Sequence, residues 1–176
     1  MAGVSPTDLH GLAIELLEAA IDALDTIPTY DATLQGTPER AFVAPGPVAL
    51  DCCDQLAVHV GPITEAHSAP EFPAASFARV QRVDLTITAS RCVPVPGPNG
   101  NPPSVTEQEA AAEQINADKW ALWNHIYNLI AHDLLFSRCC DVIWNPLVPL
   151  QPNGGCGGSR LTITVCFDGY EEIFST

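Results

Sequence analysis

Two segments far apart in the chain restrict its fold more than any other feature. In residues 77–93, FARVQRVDLTITASRCV, the apolar Val83, Leu85, Ile87 and Ala89 alternate with Arg82, Asp84, Thr86, Thr88 and Ser90. In residues 160–168, RLTITVCFD, Leu161, Ile163, Val165 and Phe167 alternate in the same way with Thr162, Thr164 and Cys166. Strict alternation rich in β-branched residues is the pattern of a half-buried strand. Each strand has an apolar face and a Thr-rich face, so both belong to one antiparallel sheet whose apolar side needs a cover.

Two amphipathic segments supply that cover. A helix is expected over residues 1–27, with Ser5 as N-cap, Pro6 in the first turn, and an end before Pro28. Leu9, Leu12, Ala13, Leu16, Leu17, Ala20, Ile21 and Leu24 form its apolar face. Glu15, Glu18, Asp22 and Asp25 gather opposite, with Asp8. Such a face either meets solvent, or repels DNA or meets a basic neighbour. A second, long helix is expected over 104–138, opened by the capping box Ser104-Val105-Thr106-Glu107. Its apolar side reads as Ala112, Ile115, Trp120, Trp123, Ile126, Tyr127, Ile130 and Leu134, with His125, Asn128 and His132 on the polar side. Residues 40–44 and 55–60 read as further strands, with His59 on an exposed strand face and 48–52 resuming the first strand. Residues 28–38 and 61–76 read as linkers. Val142-Ile143-Trp144 starts a strand broken by Pro146 and Pro149, and QPNGGCGG at 151–158 turns as a hairpin into the final strand, 159–168. Helix, three or four strands, long helix and closing strands make a single α+β domain over 1–176: an antiparallel sheet of about four to six strands with both helices on one face.

Between the central strand and the long helix lies PVPGPNGNPP, residues 94–103. It cannot form a regular helix or an interior strand. Pro94, Pro96, Pro98, Asn99, Asn101 and Pro102 define either a stiff crossover connection or an arm that reaches a neighbouring subunit.

The formal net charge is −14, from 21 acidic and 7 basic residues, and the first 39 residues hold seven acids and no Lys or Arg. A nucleic-acid-binding surface needs a basic patch, so specific DNA binding is not expected. No apolar run is long enough for a membrane span, and no signal-peptide pattern opens the chain, which points to assembly in a cytoplasm-like compartment. The seven Cys contain no CxxC, so a zinc site is not expected. They read as mostly reduced, buried thiols, the alternative being disulfides formed after release.

Catalytic constellations are weak. Cys139 or Cys140 with His132 or His125, and Asp133 as orienter, is the nearest approach to a thiol enzyme, without a supporting local motif. No nucleophile elbow, P-loop or dinucleotide fingerprint occurs. No catalytic, metal or cofactor-binding residues are therefore assigned.

The blocks LHGLAIELLEAAIDAL (9–24), ERAFVAPGPVALDCCDQLAVHVG (39–61), RVDLTITASRCVPVPGPNGNPPS (82–104) and PNGGCGGSRLTITV (152–165), in this order around the long helix, resemble tail terminators and related neck proteins of long-tailed phages infecting actinobacteria. The resemblance lies in order and texture over nearly the whole chain. It implies a non-enzymatic virion protein at the tail–neck junction. A homo-oligomeric ring, probably a hexamer, would end polymerisation of the tail tube protein and meet the head-side connector or stopper. DNA would pass through without specific binding. Another neck component, such as a connector, stopper or minor tail protein, is the alternative within this class.

Overall fold

The computed structural model describes residues 9–49, 54–66, 80–137, 139 and 141–168. It is an α+β fold: α1 (Leu9–Asp25), a short α2 (Ile27–Tyr30), β1 (Arg40–Ala44), β2 (Gln55–Ala66), β3 (Val80–Cys92), α3 (Val105–Ala131), β4 (Asp141–Trp144), β5 (Val148–Asn153) and β6 (Cys156–Asp168). One six-stranded sheet has the order β1-β2-β3-β6-β4, with β5 also on β6. The two alternating segments pair as antiparallel neighbours in unbroken register from Val80↔Asp168 to Cys92↔Cys156. Residues 77–79 and the expected cap at Ser5 lie outside the described residues.

The core sits between one sheet face and α1 with α3. Leu56 and Val58 of β2, Val83, Leu85 and Ile87 of β3, and Leu161, Ile163 and Val165 of β6 are at most 1% exposed. Against them pack Leu12, Leu16 and Leu24 of α1, and Leu122 and Ile126 of α3. Each such side chain contributes roughly 1.5–3 kcal/mol by burial.

Several expectations need correction. α1 stops at Asp25, before Pro28 as expected, but a separate short α2 follows, and Pro28 sits in its first turn, where its missing N–H has no helical partner to lose. The strand 55–60 continues through a bulge at Gly61-Pro62 to Ala66. Residues 48–49 are irregular, and 50–52, the rest of the stretch expected to resume β1, lie outside the described residues. β1 runs parallel to β2, making the sheet mixed rather than wholly antiparallel. Pro45-Gly46-Pro47 follows β1 where a hairpin turn would be needed, so the chain returns before pairing.

The long helix ends at Ala131, short of 138. Asp133 N–H donates to Ile130 O and Leu134 N–H to Leu129 O, with Asp133 at φ 55°. This is a Schellman closure, with Asp tolerating the left-handed position usually held by Gly. Leu135 and Phe136 then turn into the core, and Glu15 of α1 accepts the Phe136 N–H at 2.9 Å.

On the far edge, β4 and β5 run the same way along β6 as one interrupted strand, with Asn145 N–H bonded to Thr162 O between them. Pro146 and Pro149 are tolerated because this is an edge. The expected hairpin from β5 to β6 forms at Gly154 (φ 58°) and Gly155 (φ 84°), both in the left-handed region required by a two-residue turn.

Candidate functional site

The segment 94–103 leaves the sheet where Val93 N–H donates to Gly155 O at 2.7 Å. Gly97 O accepts from Gly100 N–H and Gly97 N–H donates to Asn101 O, so the tip is a tight turn with Pro98 and Asn99 at its centre and Gly100 at φ 74°. Every residue from Val95 to Pro102 is exposed. The far root is the capping box: Ser104 Oγ accepts the Glu107 N–H, and Glu107 accepts the Ser104 N–H. The Ser104 hydroxyl, donating to Glu107 Oε2 at 2.7 Å, and then the Ser104 N–H hold the Glu107 carboxyl below its ordinary pKa. A charge-free, Pro-stiffened arm is thus fixed at both ends and open to solvent along its length.

The second feature is an aromatic ridge on α3. Trp120 is 70% exposed and Tyr127 52%, although both were expected to face the sheet; Leu134, beyond the helix end, is also exposed. The reason is Asp118, which is 2% exposed and faces the core with Leu122 and Ile126 at spacings of four. Trp120 lies two residues from both Asp118 and Leu122, about 200° around the helix, and so points away. Trp123 and, despite its exposure, Tyr127 lie on the flank and both pack edge-on against Trp144 of β4, at 4.7 Å and 5.9 Å between centroids. Trp120 stands between two hollows of about 400 Å³ each. One, shared with α2, is lined by Tyr30, Leu34, Ala117, Asn124 and Asn128; the other by Lys119, Trp123 and Leu147.

A buried ionic cluster escaped the sequence reading. Arg91 is 3% exposed; its Nε donates to Asp118 Oδ2 at 2.7 Å and its Nη2 to Asp118 Oδ1 at 3.1 Å. Nη1 donates to Asp54 at 2.8 Å and Nη2 also reaches Gly36 O. Gln114 donates to Asp118 and exchanges two hydrogen bonds with the Gln35 backbone. Burial pulls the Arg91 pKa down, but Asp118 and then Asp54 more than offset it, and the net shift is upward. The cluster ties the end of β3, α3, the loop after α2 and the start of β2 together. It also forms one wall of an open cleft of about 770 Å³ at the root of the arm. The signal was present: Arg91 continues the core-facing parity of Val83 to Ala89, and Asp118 the spacing of Leu122 and Ile126.

The second sheet face is hydroxyl-rich, as expected, but largely withdrawn from solvent. Thr86 bonds Thr162 at 3.1 Å, and Asn145 donates to Thr164, which donates to Asp84 at 2.6 Å. Thr88 and Ser90 are fully buried, and among the described residues neither hydroxyl finds a hydrogen-bond partner. His59, expected on an exposed face, is 7% exposed; burial, then the Arg160 charge, lowers its pKa.

The acidic face of α1 divides. Glu18 and Asp22 are exposed and point outward, whereas Glu15 holds Phe136 and Asp25 accepts the Thr37 N–H at 3.3 Å. Two of the four acids therefore fasten neighbouring loops rather than only lining a free surface.

Cys92, Cys139 and Cys166 are thiols, Cys92 being exposed rather than buried, whereas Cys156 is disulfide-bonded. Cys52, Cys53 and Cys140 lie outside the described residues. His132, the remaining member of the thiol constellation on α3 with His125, is the exposed C-cap. Among the described residues no three His, Cys, Asp or Glu gather as metal ligands, and no helix is long and apolar enough to cross a membrane. Comparison of the chain with protein-family models and with curated proteins finds no match.

Proposed function

We propose that the chain is a tail terminator, or a closely related neck protein, of a long-tailed phage infecting actinobacteria. It assembles as a homo-oligomeric ring, a hexamer in this reading, on the head-proximal end of the tail tube. There it stops tube growth and presents a surface to the head-side connector. The observation that carries the proposal is the exposed, charge-free arm 94–103, fixed at both roots on an otherwise strongly acidic chain. An ordered segment without its own packing partner is suited to a neighbour. A head-to-tail contact of arm to receiving surface closes into a ring when the rotation permits. The resembling blocks supply the rest: 9–24 lies within α1, 39–61 spans β1 and the first part of β2, 82–104 covers β3 with the arm, and 152–165 the β5–β6 turn and β6. The acidic balance suits a ring through which DNA slides without adhering.

The test is light scattering and electron microscopy of the purified protein with and without tail tube protein. The expected outcome is a ring, or a monomer that becomes a ring on tube ends and fixes tube length. Rings that bind the connector but leave tube growth unchanged point to a stopper. A monomer indifferent to tube protein refutes the proposal.

A further inference from the structure

We infer that Cys92 and Cys156 form a thiol–disulfide exchange site, independently of the ring reading above. The exposed Cys92 thiol takes Cys156 over from its present disulfide partner, and the cross-strand bond so formed fastens the root of the arm 94–103.

The geometry comes from the sheet ladder. Cys92 and Cys156 stand directly opposite each other as the last pair of the β3–β6 register. Residues so placed project to the same face of the sheet. Along an antiparallel ladder, hydrogen-bonded pairs alternate with non-hydrogen-bonded ones. Val93 N–H donates to Gly155 O at 2.7 Å, so the next pair, Val93 with Gly155, is a hydrogen-bonded one. Cys92 with Cys156 is therefore a non-hydrogen-bonded pair, the class whose Cα atoms lie about 4.5 Å apart and whose side chains are closest. A disulfide needs Cα atoms roughly 4.4–6.8 Å apart, so these two Cys can be bridged without moving either strand.

The chemical states complete the site. Cys92 is an exposed thiol that also lines the open cleft at the arm's root, whereas Cys156 is 1% exposed and held in a disulfide. Exchange proceeds by attack of a thiolate on a disulfide sulfur, which displaces the other sulfur. Here the Cys92 thiolate, its proton having passed to solvent, attacks Cys156 Sγ. The Cys92–Cys156 S–S bond forms as the bond from Cys156 to its present partner breaks. That partner leaves as a thiolate with the electron pair and takes up a proton from water. One disulfide replaces another, so no oxidant or reductant is consumed. Cys166, a second thiol on the sheet, lies ten residues along β6 from Cys156, roughly 33 Å away, and cannot compete.

The consequence falls on the arm. Its strand-side root is the Val93–Gly155 hydrogen bond, one residue beyond Cys92 on one strand and one before Cys156 on the other. The exchanged state sets a covalent link beside that bond and locks the arm's root to the β5–β6 turn.

The experiment uses the full chain purified without reductant. It is incubated in mildly alkaline buffer with a chelator and without oxygen, quenched in acid, and its disulfides are mapped by peptic digestion and mass spectrometry. The starting protein is expected to hold Cys156 in a disulfide and to leave Cys92 open to N-ethylmaleimide. After incubation, about one tenth or more of the chains should carry a peptide pair linking Cys92 to Cys156, the share reached when the two disulfides differ by up to tenfold in equilibrium constant. The total of alkylatable thiols should stay constant, one new thiol appearing for each Cys92 lost. Cys92→Ser, at an exposed position, keeps the core and should hold Cys156 in its original linkage throughout. Val93 amide exchange, followed by NMR in the mixture, should be several-fold slower in the form carrying the new link. Cys92 that stays wholly alkylatable, a Cys92–Cys156 link that appears only in concentrated urea, a loss of two thiols per link formed, or Cys156 found as a thiol at the start would each overturn the exchange site. Equal Val93 rates in the two forms would overturn the fastening of the arm.

Discussion

Asp118→Ala is the substitution that most directly probes how this fold is held. Asp118 is 2% exposed and carries two of the hydrogen bonds of the buried Arg91, with a third from Gln114. Removing it leaves a guanidinium out of water with Asp54 and Gly36 O as its remaining partners. Breaking a buried ion pair from one side costs about 3–5 kcal/mol. Asp54 keeps part of the compensation, and its side chain is 34% exposed, so the lower end, about 3 kcal/mol, is expected. For a chain of this size that is roughly 6–12 °C in Tm. Urea unfolding followed by tryptophan fluorescence reports it without screening the charges, and Trp123 against Trp144 supplies a probe of the packed helix–sheet contact. The double variant Arg91→Met with Asp118→Leu removes both charges and should lose less than Asp118→Ala alone, because no buried charge is left unpaired. A loss under about 1 kcal/mol for Asp118→Ala, or a double variant whose loss equals the sum of the singles, would refute the reasoning.

Gly158→Ala drives a Cβ into Ala89 O near the end of the β3–β6 ladder, where β6 is also paired with β5 and neither backbone can yield, so a loss of roughly 3 kcal/mol or more, or failure to fold, is expected by thermal melt. Thr88→Val replaces a fully buried, unpartnered hydroxyl by a methyl of similar shape and should be neutral or stabilising by up to about 1 kcal/mol; a clear destabilisation would show that Oγ1 has a partner on that face. His59 has a folded pKa below its unfolded value, so the unfolded chain binds more protons between the two. Its contribution is full above about pH 6.5 and is lost as pH falls towards the folded value; urea midpoints at pH 7.5 and 5 should differ less in His59→Gln than in wild type. Replacing Glu18 and Asp22 by Lys leaves the loop-fastening Glu15 and Asp25 intact, and if this face borders a lumen, DNA ejection from assembled particles should slow at low salt and recover as salt rises. Wild-type ejection kinetics would place the face elsewhere.

Local pattern determined a large share of this molecule. The alternation in β3 and β6, the leucine stripe of α1, the capping box at Ser104 and the Asn-Gly-Gly turn each act over a few residues, so their chemistry is complete within the segment that carries it. Where an outcome depended on a partner distant in sequence, only the tertiary structure decided it. The rotation of α3 is the clearest case. Counting apolar residues put Trp120 and Tyr127 on the sheet, whereas Asp118 meets Arg91 and brings Leu122 and Ile126 with it, leaving Trp120 outside and Tyr127 at the flank against Trp144. A charged residue reads as solvent-facing until the opposite charge is known to stand 27 positions away on the facing strand. The parallel placement of β1, the use of Glu15 and Asp25 to fasten loops, and the burial of His59 have the same origin. Each is an environment made in space, and a polar side chain gives no sign along the chain of whether it will meet water or another segment of the protein.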